Sequence, residues 1–218
     1  MLKKREPEVK NIIFDLGGVV LNVDYHLTSQ KFAELGMKNF EDLYSQAHQN
    51  QLFDQLETGK IRSEDFLKTL QNLSNNSLSL QQIEEAWDAM ILDYPISRLQ
   101  LLEQVKNQYN TFLLSNTNSI HEKEFTAKLQ RTTNYKSLDA LFDKVYYSHI
   151  IGFRKPQPEA YLHILEENKL HAEETLFIDD SIQNIEGAQR VGLQTIYLKK
   201  GMTLEDDVFQ QQEKSAKL

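Results

Sequence analysis

The sequence predicts an α/β protein, a doubly wound parallel sheet interrupted after its first strand by an all-helical insertion. Three observations predict this. Short apolar runs recur at residues 12–14, 112–114, 145–147, 176–178 and 195–198, as expected of strands buried on both faces of a parallel sheet. Helical segments lie between the later runs, as βαβ units require. Residues 25–94 contain no convincing strand and read as several helices.

The elements follow in order. Ile12-Ile13-Phe14 leads into Asp15 and a turn with Gly17 and Gly18, and Val19-Val20-Leu21 lies beyond it. In the insertion, Phe32, Leu35 and Gly36 close a first helix, and Phe40, Leu43, Tyr44 and Ala47 form a second. Residues 61–73 follow, with Ser63 as N-cap and Phe66, Leu67 and Leu70 on one face. Residues 80–92 place Ile83, Ala86, Trp87 and Met90 on one stripe, and Pro95 breaks the pattern. Residues 158–169 begin with a proline in the first helical turn. Residues 182–191 end at Gly192, a usual residue just past a helix. The polar tail of residues 202–218 is expected to lose order beyond Phe209. The expected division is residues 1–22 and 96–218 as the core, with residues 23–95 as a helical cap.

Composition narrows the functional classes. The 218 residues are 40% hydrophobic and 26% charged, ordinary for a globular chain of one large domain or a domain plus an insertion. A formal net charge of −8 argues against a nucleic-acid partner, which calls for a basic footprint. The absence of cysteine excludes disulfides, thiolate metal sites and a cysteine nucleophile. The basic start Lys3-Lys4-Arg5 is followed by Glu6-Pro7-Glu8 rather than an apolar centre, and no window is long enough for a membrane helix. A cytoplasmic protein without a membrane partner is expected, as a monomer or as a homodimer using the Trp87 stripe.

Four polar signals follow the apolar runs: Asp15, Ser115 with Asn116, Lys155, and Asp179-Asp180. Residues just past the carboxyl ends of parallel strands converge on one crevice, so these groups are expected to meet. A carboxylate after a buried strand must be solvated, paired or cation-bound, and it can attack phosphorus covalently. Taken alone, Asp15 reads equally as a turn residue, Ser115 and Asn116 as caps of the next helix, and Lys155 as a solvated side chain. Two adjacent carboxylates at a strand end repel, and Mg²⁺ relieves that repulsion while keeping water and phosphate as further ligands.

Ile13-Phe14-Asp15-Leu16-Gly17-Gly18-Val19, Leu114-Ser115-Asn116-Thr117-Asn118, Arg154-Lys155-Pro156-Gln157-Pro158-Glu159 and Phe177-Ile178-Asp179-Asp180-Ser181 with Asn184-Ile185-Glu186-Gly187-Ala188 resemble the four motifs of the haloacid dehalogenase-like (HAD) hydrolases. Within that superfamily the chain is most similar to the branch with bacterial α-D-glucose-1-phosphate phosphatases and the phosphatase domain of soluble epoxide hydrolase. The resemblance implies a Rossmann-like core with a C1-type helical cap. It implies a Mg²⁺-dependent phosphomonoesterase acting on a small phosphorylated metabolite, a hexose 1-phosphate being favoured. By motif, Asp15 is the expected nucleophile and a metal ligand. The Gly17 carbonyl and Asp180, supported by Asp179, complete the metal set. Ser115, the Asn116 amide and Lys155 hold the phosphoryl group, and Asn184 orients the acidic pair.

One position departs from the pattern. Gly17 stands where most phosphatases of this superfamily carry a second aspartate as acid/base, a contribution of about 10²–10⁴-fold. Asp24 and His26 are candidate substitutes, or simply residues that open the first cap helix. Two alternatives stay open. A metal-independent dehalogenase-type hydrolase is disfavoured by Asp179-Asp180, and a weakened phosphate- or partner-binding protein is favoured only by Gly17. The segment 53–60, broken at Thr58-Gly59, reads as a cap loop facing the site or as an ordinary connection.

Overall fold

A computed structural model describes residues 2, 5–37, 40, 51–74 and 77–209. Its centre is a five-stranded, wholly parallel sheet of β1 (Asn11–Phe14), β2 (Asn110–Ser115), β3 (Lys144–Tyr147), β4 (Thr175–Asp179) and β5 (Gln194–Tyr197), in the order β3-β2-β1-β4-β5. All five strands fall on the expected runs. Val19-Val20-Leu21 does not extend the sheet. It folds back as a buried turn, with the Val20 and Leu21 amides donating to the Leu16 carbonyl.

Side chains alternate across each strand, which splits the core into two layers. Ile12, Phe14, Leu113, Leu176 and Ile178 face one side. Ile13, Phe112, Leu114 and Phe177 face the other, where Tyr161, Ile164 and Leu165 of α7 (Pro158–Asn168) and Ile185 and Ala188 of α8 (Ile182–Arg190) cover them. The first layer is closed by α5 (Ile96–Lys106) through Leu99, Leu102 and Val105, and by Leu204, Val208 and Phe209. Phe209 stacks on Phe14 at 6.2 Å. The tail beyond Phe209 lies outside the described residues.

Between β1 and β2, and ahead of α5, come α1 (Tyr25–Glu34), α2 (Gln51–Glu57), α3 (Ser63–Leu73) and α4 (Leu80–Asp88). The expected helix through Leu43, Tyr44 and Ala47 lies outside the described residues apart from Phe40, which is buried. Asp24 caps α1 by accepting from the His26 amide, so of the two roles weighed for this pair, opening the helix is the one seen. Ser63 is not the cap of α3. Arg62 occupies that position, and the Ser63 hydroxyl instead meets Ser119 Oγ at 2.5 Å. Ser79 closes a capping box with Gln82 at the start of α4.

Trp87 is interior rather than surface. Its ring stacks on Phe53 at 5.4 Å and packs on Phe66 at 5.0 Å. The chain enters and leaves this helical unit along paired segments. Asn22 donates to Asp93, Leu92 to Asn22 and Asp24 to Met90, all through the backbone. No described helix is long and apolar enough to cross a membrane.

Candidate active site

In a parallel sheet a ligand crevice opens where the strand order reverses, outside the carboxyl ends. Here that point lies between β1 and β4. Asp15 follows β1 and its amide donates to the Ile178 carbonyl at 2.9 Å, which levels it with the end of β4. Ser115 ends β2, Asp179 ends β4, and a cavity of about 340 Å³ opens above them. Asp15, Gly17, Ser115, Asn116, Lys155, Asp180 and Asn184 all line it. The sequence-derived site residues therefore converge, except that Asp179 lies beneath the wall rather than in it.

Lys155 is the hub. Its side chain is buried, and its ammonium donates to Asp15 Oδ1 at 2.5 Å and to Asp179 Oδ2 at 2.8 Å. The reading of Lys155 as a solvated surface lysine is thereby excluded. Burial by itself would lower its pKa, but the Asp15 and Asp179 charges outweigh that and raise it. Asn116 fixes the lysine's backbone from both sides: its Oδ1 accepts from the Lys155 amide at 2.9 Å, and its Nδ2 donates to the Lys155 carbonyl at 2.8 Å. The cap of α6 (Ser119–Thr132) is consequently neither Ser115 nor Asn116. Asn118 does that work, accepting from the Ile120 and His121 amides.

The acidic pair divides its labour. Asp179 Oδ1 accepts from the Ser181 amide at 2.7 Å and Asn184 Nδ2 at 3.1 Å, while Oδ2 takes Asn184 and Lys155. Asp180 instead lines the cavity, beside the turn at Gly18. That turn favours glycine. Its φ is +76°, and a Cβ there would lie 2.1 Å from Asp180 Oδ2.

Oxygens of Asp15, Asp179 and Asp180 all lie within 4.8 Å of one another. With all three acids ionised, the single ammonium would leave two negative charges uncompensated. Burial pushes the Asp15 carboxyl up to about 8 against the pull of Lys155, with Asp179 and Asp180 adding to the rise. Burial and Asp179 likewise push Asp180 up to about 6. A hard divalent cation fits this oxygen-only, over-acidic donor set.

The roof comes from the helical unit. Asp54 and Glu57 of α2 line the cavity, and both hold Arg154: Asp54 Oδ1 pairs with Nη1, and Glu57 Oε2 lies 2.9 Å from Nη2. Segment 53–60, expected as a loop, is helical through Glu57, and Asp54 and Glu57 are its residues that face the site. Gly59, past the end of α2, has φ +67° and lies so close to the core that a Cβ would meet the His149 carbonyl at 2.3 Å. Opposite, His121 stacks on Trp87 at 4.8 Å and its Nε2 donates to the Trp87 carbonyl at 3.1 Å, leaving Nδ1 to accept from Asn118. Burial drops the His121 pKa to about 4. Arg154, His121 and Tyr25 are wall residues to which sequence reasoning assigned no role. Arg154 carried a signal, being a second cation beside Lys155.

Residues 9–192 match the family model of the haloacid dehalogenase-like hydrolases. The chain belongs to this family. The hydrolase is 30% identical over 193 residues to the D-ribitol-5-phosphate phosphatase of Bacteroides thetaiotaomicron, covering 88% of this chain and 93% of that protein. Its fold superposes with a TM-score of 0.84 on a HAD family enzyme of the same organism, a mutant crystallised with magnesium and inorganic phosphate. That pair is 32% identical, over 88% and 95% of the two chains. A HAD-like hydrolase from Porphyromonas gingivalis superposes with a TM-score of 0.81 at 29% identity, over 90% and 94% of the chains.

Proposed function

We propose that this hydrolase is a Mg²⁺-dependent phosphomonoesterase acting on a small sugar or sugar-alcohol phosphate through an aspartyl-phosphate. The observation that carries the reading is the Asp15 carboxylate, tied to a buried ammonium and to two further acids at the floor of a cavity roofed by α2. Residues 1–22 and 96–218 form the catalytic core in this reading, and residues 23–95 the cap.

Asp15 attacks phosphorus in line and the alcohol leaves. Water then hydrolyses the acyl phosphate and restores the carboxylate. The Lys155 charge is fixed before substrate arrives and stabilises the equatorial phosphoryl oxygens without reorganisation. Ser115 and the Asn116 backbone amide hold a phosphoryl oxygen, while the Asn116 side chain keeps Lys155 in place. Asp15, the Gly17 carbonyl and Asp180 would hold Mg²⁺. Asp179, saturated by Asn184, Ser181 and Lys155, orients the lysine. When bound, the cation offsets charge on the phosphoryl oxygens and on the three acids.

The 30% identity to a ribitol-5-phosphate phosphatase supports a linear sugar-alcohol phosphate beside the hexose 1-phosphate that the motif resemblance favours. A metal-independent dehalogenase reading leaves the Asp15–Asp179–Asp180 cluster without a purpose. The test is phosphate release from ribitol 5-phosphate and glucose 1-phosphate, with Mg²⁺ and with EDTA, for the wild type and Asp15→Asn. Metal-dependent release lost in the variant supports the proposal. Metal-independent release, or release that survives in Asp15→Asn, overturns it.

A further inference from the structure

A sugar-alcohol phosphate leaves as an alkoxide, which needs a proton as the P–O bond breaks. Position 17, two residues beyond the nucleophile, has no side chain to give one. Lys155 is held by two carboxylates, and both ring nitrogens of His121 are engaged. Asp54 and Glu57 are paired with Arg154. Asp24 caps α1, His26 is exposed, and neither lines the cavity. The residue between them does. Tyr25, first in α1, lines the cavity, and its hydroxyl lies 3.8 Å from the point where a Cβ on Gly17 would sit. The phenol thus stands over the turn that carries the nucleophile.

Resting on the phosphatase reading above, we propose that Tyr25 is the proton donor to the leaving oxygen. In the first step a bond forms between an Asp15 carboxylate oxygen and phosphorus, and the bond from phosphorus to the ester oxygen breaks. That oxygen keeps the electron pair and takes the Tyr25 hydroxyl proton, giving the alcohol and a phenolate. In the second step the phenolate removes a proton from water as its oxygen attacks phosphorus. The bond to Asp15 breaks, leaving inorganic phosphate, the free carboxylate and a reprotonated tyrosine. General acid assistance of this kind is worth about 10²–10⁴-fold.

The experiment compares kcat/KM for ribitol 5-phosphate and p-nitrophenyl phosphate in the wild type and Tyr25→Phe. p-Nitrophenolate leaves as a stable anion and needs no proton. The expected result is a fall of about 10²-fold or more on the alkyl ester, with the aryl ester changed less than about threefold. The double variant Gly17→Asp, Tyr25→Phe is then expected to recover turnover of the alkyl ester. Space exists for that side chain, since a Cβ at Gly17 has Val23 as its nearest neighbour at an ordinary 3.4 Å. Equal losses on both esters with no recovery, or no loss on the alkyl ester, overturn the role of Tyr25 and leave the phosphatase reading intact. A wild type that turns over neither ester overturns the phosphatase reading itself.

Discussion

Lys155 and Asp15, 140 positions apart in the chain, meet at 2.5 Å in a buried ion pair at the end of the central strand. The pair is useful to catalysis only because the lysine is held by other groups as well. Asp179 takes its ammonium and Asn116 its backbone, so the charge is held where the proposed function puts the phosphoryl group. Lys155→Met should therefore lower kcat/KM by roughly 10²–10³-fold, as loss of one preorganised electrostatic group does. Steady-state kinetics on p-nitrophenyl phosphate check this; a loss under tenfold would remove Lys155 from the machinery.

Gly18→Ala tests the proposed metal set without replacing a ligand. The new methyl would overlap Asp180 Oδ2 at a backbone φ of +76°, so the carboxylate must swing away. The concentration of Mg²⁺ giving half-maximal activity should rise at least about tenfold, equivalent to about 1.4 kcal/mol. A metal titration of activity measures it.

Arg154 joins the lysine loop to α2 of the helical unit through Asp54 and Glu57. Arg154→Gln should loosen the roof over the cavity and raise KM for a sugar-alcohol phosphate by roughly tenfold. The effect on kcat/KM for orthophosphate-sized esters, which do not reach the roof, should be smaller. Comparing KM across esters of increasing length checks the idea.

Acid should weaken the fold through His121. Its pKa is depressed to about 4 from an ordinary 6.5, first by burial and against the Trp87 carbonyl bond. The folded state thus binds this proton less readily than the unfolded chain. The stability it contributes is complete above about pH 6.5 and is lost as pH falls toward 4, by at most ~1.4 kcal/mol per pH unit. Asp88 lies 3.9 Å away and works in the opposite sense: burial and neighbouring acids push it up to about 8, so its contribution is lost as pH rises from about 4 to 8. Urea unfolding of wild type and His121→Gln between pH 4 and 6.5 separates the two. The two slopes oppose each other in the wild type, so its stability should change little across this range, whereas His121→Gln should gain stability on acidification.

The strands were legible because a parallel sheet buries both faces, so each strand carries a short unbroken apolar stretch bounded by polar residues. Much of the site was legible for the same reason, since Asp15, Ser115 and Asp179 sit at those stops, whereas Lys155 lies in a turn well beyond β3. Finer assignments were hidden by local degeneracy. Ser115, Asn116, Thr117 and Asn118 are all plausible caps, and only the fold shows that Asn118 caps α6 while Asn116 grips Lys155. Ser63 has the right chemistry for a cap, yet the chain turns one residue earlier. Periodicity does not single out α5, because Arg98, Leu99, Leu101, Leu102 and Val105 are all buried and leave little polar face. Which acid of the 179–180 pair faces the cavity follows from the last step of the pleat, which the sequence alone does not register.

The most direct measurement is mass spectrometry of the protein quenched during turnover of p-nitrophenyl phosphate with Mg²⁺. A peptide containing Asp15 that carries one added phosphoryl group, absent from Asp15→Asn, is the predicted result. Turnover with no phosphorylated peptide, or with the phosphoryl group on another residue, would contradict the account.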